Sequence, residues 1–278
     1  MAAPSPSLQV RKIFVVIDPR RLVQSALEKG EWLARRNGAE LELYCSVDPE
    51  NAADAEAQSR LIERTQSWIE RLVEKTREEG VKLSVRVEAN RDWREAIAAA
   101  AAASGADLVI KTASPRGPLR RRLMQTADWT LLRNCSLPIL LASPTQVGLP
   151  KIVLAAVKVK PEERVYVQLN RRVIDLSHRI ADLLNAELHA VTVYRGDGIF
   201  FDRQKFADEC RLPRNRVHAV EGPSYEGIAQ VAEQLGAGVV VVGSAPRPAR
   251  GSILGATAER VIDEVPGDVV VLPASASA

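Results

Sequence analysis

The chain has 278 residues, of which 46% are hydrophobic and 26% are charged, with a formal net charge of +3 at pH 7. This length is sufficient for one large domain or for two domains of about 130 to 140 residues. The composition is that of a soluble globular protein, and a net charge of +3 is too small to indicate nucleic-acid binding. Because only 4% of the residues are aromatic, alanine and aliphatic side chains must fill the core.

Cysteine and histidine usage gives no sign of a disulfide framework or a metal site. The three cysteines, Cys45, Cys135 and Cys210, are far apart and form no C-x-x-C pair, which is typical of reduced thiols in a cytoplasmic protein. The three histidines show no H-x-x-x-H spacing, so no metal is predicted. No apolar run reaches the roughly 18 residues of a membrane span, and MAAPSPSLQV at the N-terminus lacks the regions of a signal peptide. We therefore expect a cytoplasmic protein without a membrane segment.

Short apolar runs alternate with helical patterns along the first half. The clearest helical pattern is an i, i+3/i+4, i+7 stripe that includes Leu61, Thr65, Ile69 and Val73. The alanine run at residues 96–103 predicts a helix that can pack closely on a sheet. Strands are predicted at residues 13–17, 41–47, 83–87, 108–110 and 139–141.

The second half repeats this alternation after a linker rich in proline and glycine, SPTQVGLP, at residues 143–150. The long helix around Trp68 has only a short counterpart at residues 204–210, and RGDGIFFDRQKF at residues 195–206 replaces its start. The two halves are therefore not functionally interchangeable. Strands are predicted at residues 152–157, 188–193, 216–220, 239–242 and 269–272.

Matching segments occur in the same order in the two halves, with small insertions and deletions between them. DLVIKTASPRGPLRRRLMQTADWTLL at residues 107–132 aligns without a gap on GVVVVGSAPRPARGSILGATAERVID at residues 238–263. Near the start of each half, KIFVVID at residues 12–18 aligns with KIVLAAV at residues 151–157. Chance similarity would not keep the same order of matches in both halves, so we predict a tandem duplication.

The order of elements predicts the fold class. Short apolar strands that alternate with helices indicate parallel sheets covered on both faces, with right-handed crossovers. The predicted fold is α/β: two tandem, five-stranded, parallel-sheet sandwich domains of Rossmann-like type. We place the domains at residues 8–144 and 150–273.

The end of the apolar run at residues 239–242 has the outline of a phosphate-binding loop. Gly243 and Ser244 follow this run, and Gly255 and Thr257 stand where the next helical pattern begins. Ligands of parallel sheets bind beyond the carboxyl ends of the strands, and backbone N–H groups at a helix start favour phosphate. Gly243 would let the backbone approach a ligand, and Thr257 would cap the helix or donate to a phosphate.

The same residues also fit an inherited structural turn. In that interpretation Gly243 only permits a sharp turn, Gly255 is a turn residue and Thr257 is an N-cap. Pro246 and Pro248 favour it, because they remove two backbone donors from the loop.

The first half has a weaker version of this loop. Thr112 stands where Gly243 does, and Met124 stands where Gly255 does. A methionine side chain blocks the close backbone approach that glycine permits. Three arginines at residues 120–122 either bind anions or form a solvated face.

The loop resembles that of the universal stress protein family, whose nucleotide-binding members carry G-x-x-G, nine residues, then G-[S/T]. Gly243 matches the first glycine, and Pro246 takes the place of the second. Gly255 arrives one residue early, so that Ala256 stands at the third position and Thr257 follows it.

Other segments support this resemblance over nearly the whole chain. SYEGI at residues 224–228 is similar to the family's G-x-P-x-x-x-I, and GATAERVID is similar to its last helix. ADLVIKTA, TADWTLLRNCSLPILL and VVIDP in the first half resemble the N-terminal domain of tandem, E-type members.

The resemblance implies a fold like that of the adenine nucleotide alpha hydrolases and ATP or another nucleotide as the ligand of the second half. In nucleotide-binding relatives an acidic residue at the end of the first strand faces the nucleoside. Asp18 matches it in the first half, where it fits a turn equally well, and Val157 stands there in the second half. Neither half therefore carries both parts of the family's site. The candidate nucleotide-binding residues are Gly243, Ser244, Arg247, Gly255, Ala256, Thr257 and Asp18.

The resemblance further implies a non-enzymatic protein of the stress response. The two domains would form an internal pseudo-dimer by pairing the apolar strands at residues 139–141 and 269–272, and whole chains could pair again as a homodimer.

Other functions stay open beside this one. A slow nucleotide hydrolase is one alternative, although the sequence has no Walker A motif and no Ser/His/Asp spacing. A binder of another apolar or anionic ligand is a second, with Phe200 and Phe201 lining a cleft unless they pack on the short helix. Nucleic acid is disfavoured, because the arginine cluster has no interleaved aromatic residues.

Overall fold

The computed structural model describes residues 10–114, 126–146, 148–158, 164–194, 201–245 and 255–274, with the backbone alone for Asn51 and Ala256. The chain divides into two compact units, Met1–Pro144 and Thr145–Ala278, which we call unit 1 and unit 2.

Unit 1 is a five-stranded α/β unit. Its strands are β1 (Lys12–Val16), β2 (Glu40–Val47), β3 (Leu83–Ala89), β4 (Leu108–Thr112) and β5 (Ile139–Ala142). Its helices are α1 (Ser25–Asn37), α2 (Ala55–Leu72), α3 (Glu74–Glu78), α4 (Trp93–Ala103) and α5 (Ala127–Asn134). The strand order within the unit is β3-β2-β1-β4-β5, and the pairs β1·β2, β1·β4, β2·β3 and β4·β5 are parallel.

Unit 2 has the same order of strands. Its strands are β6 (Ile152–Ala156), β7 (Glu187–Tyr194), β8 (Val217–Glu221), β9 (Val239–Ser244) and β10 (Asp268–Pro273). Its helices are α6 (Arg164–Leu184), α7 (Arg203–Cys210), α8 (Ser224–Leu235) and α9 (Ala256–Glu264). The order β10-β9-β6-β7-β8, with parallel pairing, repeats that of unit 1 with β6 in the central place of β1.

Burial along the central strands explains why they form a covered sheet. Ile13, Phe14 and Val15 of β1 are consecutive and fully buried, and Leu41 and Tyr44 of β2 are buried beside them. A strand with one solvated face would alternate buried and exposed residues, so continuous burial shows that helices cover both faces.

Local sequence sets the helix ends. Asp54 accepts a hydrogen bond from the Ala57 amide at 2.7 Å and so caps α2. At the other end of a helix, Gly38 follows α1 with a φ of 66°, and its amide donates to the Ala34 carbonyl. A left-handed C-cap of this kind suits glycine, which carries no Cβ.

The predicted fold class is confirmed, and all ten predicted strands are present. The predicted difference between the halves is also present, because α2 has 18 residues and α7, at the corresponding place, has 8. Cys45, Cys135 and Cys210 are buried free thiols. Among the described helices, none has both the length and the apolar character needed to cross a bilayer.

Candidate functional site

The candidate site of unit 2 lies where β9 ends and α9 begins. Gly243 and Ser244 are the last two residues of β9, Gly255 precedes α9, and Ala256 and Thr257 are its first two residues. Arg247, Pro246 and Pro248, and in unit 1 Met124 and the arginines at 120–122, lie outside the described residues.

Gly243 is a packing position. A Cβ atom at Gly243 would lie 2.6 Å from Cγ of Leu169, a buried residue of α6. This distance is much shorter than a van der Waals contact. Leu169 can therefore pack here only because residue 243 has no side chain. The space on the side-chain side of Gly243 is therefore filled by a helix of the protein itself, and a contact between Gly243 and a ligand stays a prediction.

Ser244 ties the end of β9 to the start of α9. Its side chain is buried, and its Oγ accepts a hydrogen bond from the Gly255 amide at 3.1 Å. A Cβ at Gly255 would lie 3.3 Å from the backbone nitrogen and oxygen of Ala245, so this position has little room for a side chain. These contacts hold the two ends of the connection between β9 and α9 close together.

The start of α9 differs from the predicted cap. Gly255 is the N-cap residue, with φ −64° and ψ 126°, and within the described residues no side-chain hydrogen bond caps the helix. Thr257 lies inside the first turn, so the prediction that it is the N-cap is wrong by two residues. The first turn of a helix presents backbone N–H groups and partial positive charge, which favour an anion.

The sheet register corrects the predicted counterpart of Asp18. Lys12 pairs with Glu40 in unit 1, and Ile152 pairs with Glu187 in unit 2. Glu40 and Glu187 are counterparts, because GAELELY at residues 38–44 aligns with NAELHAV at residues 185–191. Ile152 is therefore the counterpart of Lys12, and each residue of β1 corresponds to a residue of β6 one position later than the sequence alignment gave. Asp18 therefore corresponds to Lys158.

Both residues are held in the same way. The Gln24 side chain donates to the Asp18 carbonyl at 2.7 Å and accepts from the Asp18 amide at 3.4 Å. The Asn170 side chain likewise donates to the Lys158 carbonyl at 2.7 Å and accepts from the Lys158 amide at 3.1 Å. The side chain of Lys158 is exposed, with its Nζ 4.0 Å from the centre of the Tyr166 ring. An amide side chain thus holds the backbone of an acidic residue in unit 1 and of a basic residue in unit 2.

The carboxylate of Asp18 is occupied by arginines. Arg20 donates from Nε and Nη2 to the two carboxylate oxygens at 2.9 and 3.2 Å, and Arg21 Nε lies 3.5 Å from Oδ2. The guanidinium of Arg20 also lies 4.8 Å from the ring centre of Trp93. Burial alone would raise the pKa of Asp18, but the hydrogen bonds from Arg20 and the charges of both arginines hold it below its usual value.

In unit 1 a buried ion pair joins the end of β4 to the start of α5. Lys111 Nζ lies 2.6 Å from Asp128 Oδ1, and both side chains are less than a tenth exposed. The other oxygen of Asp128 accepts from the Ser114 amide at 2.7 Å. Thr112, the counterpart of Gly243, accepts from the Ala26 amide at the start of α1 at 3.0 Å. The charges of Lys111 and Asp128 and the hydroxyl of Thr112 are therefore paired within the unit.

The aromatic residues after β7 are partly described. Phe201 stacks on Tyr194 with ring centroids 5.9 Å apart, and it meets Phe206 of α7 edge-on at 5.6 Å. This favours the structural interpretation for Phe201, while Phe200 lies outside the described residues.

Sequence reasoning missed three residues at these edges. Lys158 was hidden by the one-residue error in the alignment of β1 with β6. Lys111 left a signal, since a lysine inside the apolar run DLVIKTA has to find a buried partner. The sequence gave no signal for its partner, Asp128, because acidic residues are common in the first turn of a helix.

The similarity to known proteins extends over both units, in sequence and in structure. The profile of the universal stress protein family matches residues 9–143 and 151–273. "Universal stress protein E" of Escherichia coli K12 is 27% identical over 297 aligned residues, which cover 94% of this chain and 93% of that protein. A homologue of that protein in Haemophilus influenzae is 23% identical, covering 93% of this chain and 96% of its own length.

Two solved structures agree in fold. A functionally unknown protein from Pseudomonas aeruginosa PAO1 has a TM-score of 0.79 and 26% identity, covering 96% of this chain and 94% of its own. A universal stress protein from Archaeoglobus fulgidus has a TM-score of 0.71 and 17% identity, covering 96% of this chain and all of its own. With family matches in both halves and the same fold in each unit, the chain belongs to the universal stress protein family.

Proposed function

We propose that this universal stress protein acts in the stress response as a non-enzymatic binder of a nucleotide, with ATP as the first candidate. The phosphates would lie at the carboxyl edge of the unit 2 sheet, between the end of β9 and the start of α9. Binding without turnover is part of the proposal, so ATP incubated with the protein should release no phosphate above the buffer rate.

The observation that carries this proposal is the meeting of two phosphate-favouring features at one edge. The start of α9 offers backbone N–H groups, and no side chain of the described residues caps them. Lys158 follows β6, the strand next to β9, and pairing of Ala156 with Val242 brings the ends of these strands side by side. A lysine and a helix start at the same edge both favour a negatively charged ligand.

Lys158 changes which part of a nucleotide this edge can hold. The acidic residue of nucleotide-binding relatives would accept hydrogen bonds from nucleoside hydroxyls, whereas a lysine donates and attracts negative charge. We therefore expect binding to depend on phosphate charge more than on the nucleoside.

In our proposal unit 1 binds a nucleotide more weakly, because the described charged groups at the same edge of its sheet are already paired. Asp18 is held by two arginines, and Lys111 is paired with Asp128 inside the unit. A ligand would have to break these contacts before it could bind, which lowers its affinity for unit 1.

The repeat supplies a matched pair of variants for the test. Thr257→Val removes the hydroxyl from the first turn of α9, and Thr126→Val removes the corresponding hydroxyl in unit 1. Titration calorimetry with ATP should show about tenfold weaker binding for Thr257→Val and for Lys158→Gln, the usual loss for a hydrogen bond to a charged group. Thr126→Val should bind as the unsubstituted protein does.

The result that would overturn the proposal is equally concrete. If ATP and ADP give no heat at millimolar concentration, or if Thr126→Val and Thr257→Val lose affinity equally, the edge of unit 2 is not the binding site.

A further inference from the structure

Two histidines of unit 2 lie edge to edge on neighbouring strands. His189 on β7 and His218 on β8 approach through Nδ1 of His189 and Nε2 of His218, which are 3.0 Å apart. The distance between the ring centres, 5.2 Å, is about the nitrogen–nitrogen distance plus the two ring radii, and the ring planes are inclined by 24°. The two nitrogens therefore lie nearly on the line that joins the ring centres, which is the geometry of an N–H···N hydrogen bond.

This contact needs one proton between the two nitrogens. Without a proton two lone pairs would face each other, and with two protons two N–H groups would collide. His189 Nε2 lies 3.1 Å from Glu187 Oε1, which only accepts, so neutral His189 carries its proton on Nε2 and turns the lone pair of Nδ1 toward His218. His218 therefore donates from Nε2. A further proton leaves the contact intact only if it binds Nδ1 of His218.

The charges beside the pair disfavour further protons. The Glu187 oxygen that accepts from His189 also lies 2.8 Å from Arg216 Nε, so its negative charge is already balanced by an arginine. A second arginine, Arg203 of α7, lies beside β8 with its Nη2 2.6 Å from the Val217 carbonyl oxygen. An imidazolium at this place would therefore add positive charge to a group that already holds two cations and one carboxylate.

The other elements that pack against the pair present apolar residues to it. Strand β6 places Leu154 beside His189. Helix α8 covers the same face of the sheet with buried apolar residues, and its two acidic residues, Glu226 and Glu233, are exposed. His189 itself is 8% exposed, so its ring has little access to water.

We propose that the His189–His218 pair makes the edge of unit 2 sensitive to acid: protons taken up below neutral pH break the contact between β7 and β8 and loosen β8. The first proton would bind Nδ1 of His218 and leave the N–H···N bond in place. The second would have to enter between the facing nitrogens and would break the bond. Because β8 is the last strand in the order of its sheet and pairs with β7, opening at this contact frees an edge strand.

The direction of the pH effect follows from the pKa values of the two histidines. In the folded protein burial, the largest cause, lowers the pKa of both side chains, and the charges of Arg216 and Arg203 add to the lowering, while Glu187 acts on His189 in the opposite direction. In the opened state both rings would titrate at the ordinary value of about 6.5. The contact is therefore fully stable above this pH and weakens as the pH falls, by up to about a hundredfold in the opening equilibrium per pH unit when two protons are taken up.

Unit 1 carries an ion pair at the corresponding positions. Glu42 and Arg86 stand there, with Glu42 Oε1 3.2 Å from Arg86 Nη2 and Lys12 Nζ 2.8 Å from the second oxygen of Glu42. Histidine is the side chain whose ordinary pKa lies between pH 5 and 8, and neither residue of this pair is a histidine. Mild acid should therefore leave the pairing of β2 with β3 in place.

Hydrogen exchange of the full chain at pH 7.5 and pH 5.5 tests the proposal, with unit 1 as the internal reference. The protection of amides in β7 and β8 is expressed relative to that in β2 and β3, because pH changes the intrinsic exchange rate of all four strands alike. We expect this ratio to fall by about tenfold or more on acidification. A ratio that stays constant overturns the proposal.

Glutamine variants identify the groups that take up the protons. Glutamine keeps a donor and an acceptor at each position but does not titrate. The ratio should fall less in His218→Gln, where one histidine remains, and should stay constant in His189→Gln/His218→Gln. His178→Gln is the matched control, because His178 contacts the Cys210 carbonyl at 2.9 Å and should not alter the fall. An undiminished fall in the double variant, or its loss in His178→Gln, would contradict the assignment.

A measurement on the unsubstituted protein covers the case in which these variants fail to fold. At pH 7.5 the imidazole ¹⁵N resonances should show His189 and His218 neutral and protonated on Nε2, with a through-bond coupling between the two facing nitrogens. This coupling should disappear reversibly on acidification, together with the protection of β8. If both rings take up protons near pH 6.5 while β8 stays protected, the pair is not an acid-sensitive contact.

Discussion

Asp18 and Lys158 occupy the same place in the two units and carry opposite charges. Each follows the central strand of its sheet, and each has its backbone nitrogen and oxygen bonded to one amide side chain, from Gln24 or from Asn170. The duplication therefore preserved the backbone of this edge, while the side chain at this position changed from an acceptor to a donor. In unit 1 the carboxylate of Asp18 also forms ion pairs with Arg20 and Arg21.

Arg20→Gln should weaken unit 1 in a pH-dependent manner. Arg20 helps to hold the pKa of Asp18 below its usual value, so the pair stabilises the folded state above the unfolded pKa of about 3.9 and loses this effect as the pH falls. Because Arg20 is 66% exposed, we expect a loss of at most about 1 kcal/mol at pH 7. Urea unfolding at pH 7 and pH 3 measures it.

Arg91→Gln provides the control for this experiment. It removes the same charge from an exposed arginine two residues before Trp93 and should leave the free energy of unfolding unchanged. A difference between Arg20→Gln and the unsubstituted protein that is as large at pH 3 as at pH 7 would contradict the assigned role of the Asp18 carboxylate.

The buried pair of Lys111 and Asp128 should behave as one unit. Lys111→Met leaves the Asp128 carboxylate buried without its cation, and loss of one partner of such a pair costs about 3–5 kcal/mol. Lys111→Met/Asp128→Asn removes both charges, keeps an acceptor for the Ser114 amide, and should cost less than the sum of the single changes. A double-mutant cycle in urea measures the coupling. Additive losses would show that the two charges do not depend on each other.

The sequence predicted the fold well and the site only in part. Short apolar runs separated by helical patterns predicted all ten strands. A strand that is covered on both faces needs such an uninterrupted run of apolar residues. Lys158, the counterpart of Asp18 in unit 2, was missed. The one-residue shift between KIFVVID and KIVLAAV is visible only in the pairing of Ile152 with Glu187. The packing of Leu169 on Gly243 was also not predicted, because a glycine that admits a ligand and one that admits a leucine look alike in a sequence.

The pseudo-dimer stays a prediction that separated units can test. β5 and β10 are apolar strands at the end of the strand order within their own units. A unit expressed alone should therefore expose unpaired backbone groups and apolar side chains, and should self-associate. Sedimentation of residues 10–144 and of residues 145–274 measures this. Two stable monomers would contradict the prediction.

Gly243→Ala should destabilise unit 2 whether or not a ligand is present. The new methyl group would lie 2.6 Å from Leu169 Cγ, and overpacking of this size costs about 1–3 kcal/mol. Leu169→Ala alone leaves a cavity, but in Gly243→Ala/Leu169→Ala the added methyl group occupies part of it, so the double variant should lose less than the sum of both. Thermal unfolding of the four proteins without nucleotide measures the coupling. If Gly243→Ala leaves the midpoint unchanged, the leucine can move aside, and the glycine at the end of β9 has to be explained by a ligand instead.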